Sequence, residues 1–306
     1  ATVVSCLLAA AVVLGITSYM TLTQYEVDKA NSSFKSTTNY VLGALQDNIH
    51  EKGDGVLSMV KNMAYLQPDP SQWPNVIMPG FYDSNAALQR VASFSELFFA
   101  PLVLPDQLSS FESYLREYLI ADPNSLISSA NVDSMYQGVF SLGPDGRIYH
   151  DTTGIPTTYN SSNAFFAPIT QCFISDYFGP TNFAFNLHSL PGFGATFDAI
   201  IDCSKSTNYT QSGSCVSASE MAKLPFRVPD SAVEHVHSII VQPIFLEQNT
   251  SQLVGFMGGG FDWLDLINPF FLTAKSGIDV LFVNGEIYTF KFKSFREYSA
   301  PIPKKT

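Results

Sequence analysis

The chain has 306 residues, a formal net charge of −11 and a pI near 4.7. Only 14% of its residues are charged, against 46% hydrophobic and 13% aromatic, whereas an ordinary soluble domain carries about 25% charge. The acidic balance argues against nucleic acid and against adsorption to anionic lipid, and the apolar content can fill one large or two modest domains.

Residues 2–24 hold no charged side chain and are rich in Val, Leu and Ala. A helix of about 20 such residues crosses the ~30 Å hydrocarbon core of a bilayer. The run reads as a retained anchor; the alternative is a signal peptide, whose apolar region would be shorter and followed by a cleavage site. The sequence begins at Ala1 and stops at Lys304-Lys305-Thr306, so both ends read as cut from a longer protein. Residues 26–63 continue as a helix, with Val27, Ala30, Phe34, Val41, Leu45 and Ile49 at three- and four-residue steps. Gly53-Asp54-Gly55 reads as a break or kink, after which Val56, Val60 and Met63 resume the stripe. That stripe suits a helix lying on its own domain's core, or a stalk pairing with a second copy, and the two are compatible.

Residues 67–80 are a Pro-rich polar loop, and residues 84–99 and 106–120 are helical by pattern. In the second helix Phe111, Tyr114, Leu115 and Tyr118 share a side. Residues 138–142 and 147–150 flank the turn Gly143-Pro144-Asp145-Gly146 as a hairpin. Asp145-Gly146 lacks the other ligands of a calcium loop. Residues 152–215 are irregular and rich in Ser, Thr, Asn and Phe, the kind of segment that often binds. Two apolar runs, residues 237–245 and 253–261, form the next hairpin. Asp262 then caps a short helix limited by Pro269, with Asp265 in a capping-box-like position. Asn284-Gly285 joins a further pair of alternating strands, a strong hairpin signal.

Few residues signal chemistry. Cys6 lies in the apolar run, and Cys172, Cys203 and Cys215 follow on the expected outer side, so at most one internal disulfide forms. Cys203 and Cys215 close a polar loop and are the expected pair. Sequons stand at Asn31, Asn160, Asn208 and Asn249, of which Asn160, Asn208 and Asn249 are the candidate glycosylation sites, Asn249 on a hairpin turn. His235 and His237 would share a strand face, but no third ligand is near, so no metal site is read. No serine elbow, zinc-protease or phosphate-loop motif occurs, so the fragment reads as no enzyme. Gly258-Gly259-Gly260 sits inside a strand and signals close approach by a neighbouring element or a ligand. Gln242, the one amide in an apolar strand, needs a partner in backbone or in a ligand. Arg227 suits an ion pair or an anionic ligand.

Several stretches together resemble CHASE-type extracellular sensor domains, most nearly those of receptor-type nucleotide cyclases of diatoms and related algae. They are Leu97-Phe98-Phe99-Ala100-Pro101-Leu102-Val103, Phe111-Glu112-Ser113-Tyr114, Phe166-Ala167-Pro168-Ile169-Thr170-Gln171, Leu224-Pro225-Phe226-Arg227, Gln242-Pro243-Ile244-Phe245, residues 254–263 and residues 277–284. The resemblance implies an α+β fold, a long N-terminal helix followed by a PAS-like antiparallel sheet of CHASE type. The expected division is a transmembrane helix at 1–24, a stalk at 25–66, a helical membrane-distal segment at 67–135, the sensor region at 136–292 and a juxtamembrane linker at 293–306. It implies a single span with residues after about 25 extracellular or lumenal, and a homodimer that binds a small molecule and needs no cofactor. A nucleotide cyclase would lie beyond this fragment; the alternatives are a histidine kinase effector or a non-sensing adhesive surface protein. The expected pocket faces the irregular segment, walled by Phe226, Arg227, Gln242 and Trp263.

Overall fold

The structure is a computed structural model. It describes residues 2–92, 94–121, 132, 136–143, 145, 147–149, 164–173, 183–205, 215–219, 222–223, 236–246, 249–263, 265–267, 278–284 and 286–292, with the backbone alone at residues 2–10, 222–223, 249–251 and 278–292 among others. Two compact units divide the chain, Ala1–Asn48 and Ile49–Thr306.

The first unit lies on α1 (Thr2–Leu66). Val13, Ile16, Tyr19 and Met20 are each more than half exposed there. The hydroxyls of Thr17 and Thr21 donate back to the carbonyls of Val13 and Thr17, at 2.6 and 2.8 Å. Among the described residues no helix is long and apolar enough to cross a membrane. The side chains of residues 2–10, where the expected span begins, lie outside the described residues.

In the second unit α1 runs unbroken through Gly53-Asp54-Gly55, where the sequence suggested a break. A Cβ at Gly55 would stand 2.7 Å from Leu88 Cδ1, so this glycine admits a side chain of α2 (Phe81–Ala92) rather than bending the helix. The helix expected over 84–99 stops at Ala92, and Glu96–Pro101 is strand β1. All six residues of β1 are buried. A strand covered on both faces reads as a continuous apolar run, which periodicity cannot tell from a buried helix. The helix α3 (Leu108–Ala121) buries Leu108, Phe111, Leu115 and Leu119 on one side.

The remaining elements are β2 (Ser141–Leu142), β3 (Ile148–Tyr149), β4 (Gln171–Phe173), α4 (Pro191–Lys205), β5 (Ser217–Ala218), β6 (Ala222–Lys223), β7 (Val236–Leu246), β8 (Asn249–Asp262), β9 (Ile278–Asn284) and β10 (Glu286–Phe292). The main sheet has the order β4-β1-β8-β7-β5, with β6 also on β7. Its pairings are antiparallel, and β1 aligns Phe98 with Gly258 on one side and Cys172 on the other. The fold is thus α+β, a long helix with an antiparallel sheet. β9 and β10 pair with each other as a two-stranded sheet, the hairpin expected around Asn284-Gly285. β1 lies inside the main sheet, between β4 and β8.

Side chains alternate across the sheet. On one face Leu97, Phe99, Ile244 and Met257 pack with Val56, Val60 and Met63 of α1. On the other Phe98, Val241 and Phe256 pack with Phe193, Phe197 and Ile200 of α4. Cys203 of α4 is joined to Cys215, with Cα atoms 5.8 Å apart, while Cys172 is buried and outside the disulfide. Asn160 and Asn208 lie outside the described residues; Asn249 opens β8, backbone-paired with Leu246.

Candidate functional site

Of the four expected pocket residues, Gln242 and Trp263 are among the described residues. Phe226 and Arg227 lie outside the described residues. Gln242 is buried, and its side chain turns to α1, Nε2 standing 3.4 Å from the Gly53 carbonyl. That is the face opposite the irregular segment, because Gln242 shares the parity of Ile244 and not that of Val241. Trp263 is half-buried, and its Nε1–H donates to the Ser238 hydroxyl at 2.9 Å, on the same side of β7 as Gln242. The sequence located a polar residue in an apolar strand but not the face it would take, which register decides.

The middle of the opposite face is filled. Phe165 stacks on His188 with centroids 4.0 Å apart, and Phe197 meets Phe256 edge-on at 4.9 Å. His188 lies 3.2 Å from both the Phe165 carbonyl and Asp198 Oδ1. Burial lowers its pKa, against the raising effect of Asp198. Gly258, Gly259 and Gly260 of β8 make room for protein side chains. A Cβ at Gly258 would collide with the Phe98 ring and the Ile240 carbonyl, one at Gly259 with Phe94, and one at Gly260 with the Glu96 carboxyl. Buried Asn186 ties neighbouring segments together: it accepts from the backbone N–H groups of Ala167 and His188 at 2.9 and 3.2 Å and donates to Ser141 at 3.1 Å.

Polar chemistry concentrates instead at the sheet end where β1 begins and β8 ends. Glu96 and Asp262 are 2% and 1% exposed, and His237, also 1% exposed, stands across from Asp262 in the register. Glu96 lies over Gly260, on the face of Phe98 and away from α1. Neither of its carboxyl oxygens has a hydrogen-bond partner among the described residues. Burial, and then the neighbouring Asp262, pushes its pKa up to about 8. Cys172 belongs to the same face, its thiol pushed up by burial and then by Glu96. Through the sheet, Lys52 of α1 is fully buried over the ring of Phe94.

Glu96 escapes a reading of the sequence because its surroundings fit a helix as well as a strand, and Asp262, expected to precede a short helix, ends β8 directly before the helical residue Trp263. The available signal was a lone carboxylate in front of Leu97-Phe98-Phe99. Among the described residues no three His, Cys, Asp or Glu side chains converge on a metal position. The open depression beside Tyr25, Lys29 and Ser33 is the surface of a single helix and encloses nothing.

No protein-family model matches the chain, and no curated protein matches it.

Proposed function

We propose that this chain is the extracellular ligand-sensing module of a transmembrane receptor, with a nucleotide cyclase as the effector beyond the fragment. The observation that carries the reading is the strand order β4-β1-β8-β7-β5 beside a long N-terminal helix. In order of appearance along the chain, with β6 left aside, the first strand of that sheet lies between the second and the last, and the last pairs with the fourth. That order supports a PAS-like reading of the sheet, alongside the CHASE-type resemblance of the sequence. The exposed apolar side chains of Val12, Val13, Leu14 and Ile16 support an anchor, since a helix apolar on all sides suits lipid. The inward-turned hydroxyls of Thr17 and Thr21 suit the same setting, because they leave no donor for lipid to satisfy.

The ligand is a small molecule entering at the Glu96–Asp262 end of the sheet. Its binding would bias α1 between two arrangements in a homodimer. The test is the full chain produced in cells and followed by alkaline carbonate extraction, external protease and thermal shift against a metabolite library. The expected result is a chain that stays with the membrane, is cut from outside and is stabilised by one ligand class. A chain extracted by carbonate, or protected from external protease on intact cells, overturns the reading.

A further inference from the structure

The end of the main sheet is built with rings on one face and carboxyls on the other. Phe94, just before β1, and Phe261 of β8 stand on the α1 side, around Lys52. The Lys52 ammonium is 4.7 Å from the Phe94 centroid and 5.8 Å from that of Phe261, and it donates to the carbonyl of Ala92. Two residues after Phe94 comes Glu96, and directly after Phe261 comes Asp262, both turned to the opposite face. The same two chain segments therefore carry the cradle that grips α1 and the acid pair behind it. The Ser95 N–H to Gly260 carbonyl bond, 2.9 Å, and the Asp262 N–H to Ser95 hydroxyl bond, 3.1 Å, tie them together.

We propose that this strand end is a proton-operated latch: a proton on Glu96 keeps β1 and β8 closed under Lys52, and its loss loosens the grip of the sheet on α1. The receptor reading enters only for the consequence, that α1 carries the change outward.

A neutral Glu96 sits on Gly260 beside Asp262 without charge repulsion. When Glu96 ionises, two carboxylates share a site shut off from water, and the strands that carry them are driven apart. The other titratable groups are placed as follows. His237 of β7 faces Asp262, and Cys172 of β4 lies on the Glu96 face. In α4, Asp198 contacts His188 and Asp202 lies 3.6 Å from Lys205. Across the sheet, burial holds Lys52 down to about 8, offset by Glu51. The folded-state pKa of Glu96 is raised to about 8, so its contribution to stability is whole below the unfolded value of about 4.3 and is lost as pH rises through the folded one.

The test uses the full chain in detergent micelles. Infrared difference spectra should show a protonated carboxyl near pH 6.5 that disappears by about pH 9.5 and is absent from Glu96→Gln. Hydrogen exchange of the α1 amides around Lys52, corrected for intrinsic base catalysis, should lose about tenfold protection over that range in the wild type and less than about twofold in Glu96→Gln. An equal loss in both proteins would assign the effect to Lys52 and overturn the latch, as would the absence of a titrating carboxyl band. Should Glu96→Gln fail to fold, Asp262→Asn serves: it should move the carboxyl midpoint down, and an unchanged midpoint overturns the proposal. Neither readout involves a membrane, so the latch and the receptor reading fail separately.

Discussion

Gln171 holds both backbone groups of Met78: the Met78 N–H donates to Oε1 at 2.7 Å, and Nε2 donates to the Met78 carbonyl at 3.1 Å. Both residues are almost fully buried, and the contact fastens β4, at one edge of the main sheet, to the segment before α2. Replacing Gln171 by Leu leaves a buried donor and a buried acceptor with no partner. Each such loss costs about 1–3 kcal/mol, so the expected destabilisation is about 2–5 kcal/mol, read from urea unfolding with an unchanged slope. A change below about 0.5 kcal/mol would mean that water reaches Met78.

Gly258→Ala tests the packing of β8. The new methyl would stand 2.9 Å from the Ile240 carbonyl, a backbone atom that cannot swing away, and would press on the Phe98 ring. Overpacking of this kind costs about 1–3 kcal/mol. Thermal melts should show the loss at every pH, unlike the effect of Glu96→Gln, which depends on pH.

Opening the Cys203–Cys215 bridge frees a loop of sequence separation 12. Loop-closure entropy for that length is worth about 3 kcal/mol. Cys203→Ser and treatment with reductant should lower the melting temperature by similar amounts, and reductant should then have no further effect on the variant. Peptide mapping without reductant should find Cys172 outside any disulfide.

His188 makes the fold sensitive to acid. Burial holds its pKa below the ordinary value, with Asp198 opposing that shift. A depressed imidazole contributes stability that is whole above the unfolded value of about 6.5 and is lost as pH falls through the folded one. Melting temperatures between about pH 7.5 and pH 5 should therefore fall more steeply for the wild type than for His188→Gln. Equal slopes would show that His188 stays uncharged, or is solvated, in both states.

The sequence by itself determined the elements that depend on neighbours along the chain. α1 follows from its apolar run and its three- and four-residue stripe. The β2–β3, β7–β8 and β9–β10 hairpins follow from alternating runs around short turns, whose partners are close in sequence. Tertiary structure decided the rest. β1 pairs with β8 across more than 150 residues, and nothing local in Glu96–Pro101 separates a strand buried on both faces from a buried helix. Which face Gln242 takes depends on register, and one residue of slip reverses it. The acid pair exists only because β1 and β8 are neighbours: Glu96 and Asp262 are unremarkable carboxylates in the chain, and it is burial beside Asp262 that raises the proton affinity of Glu96.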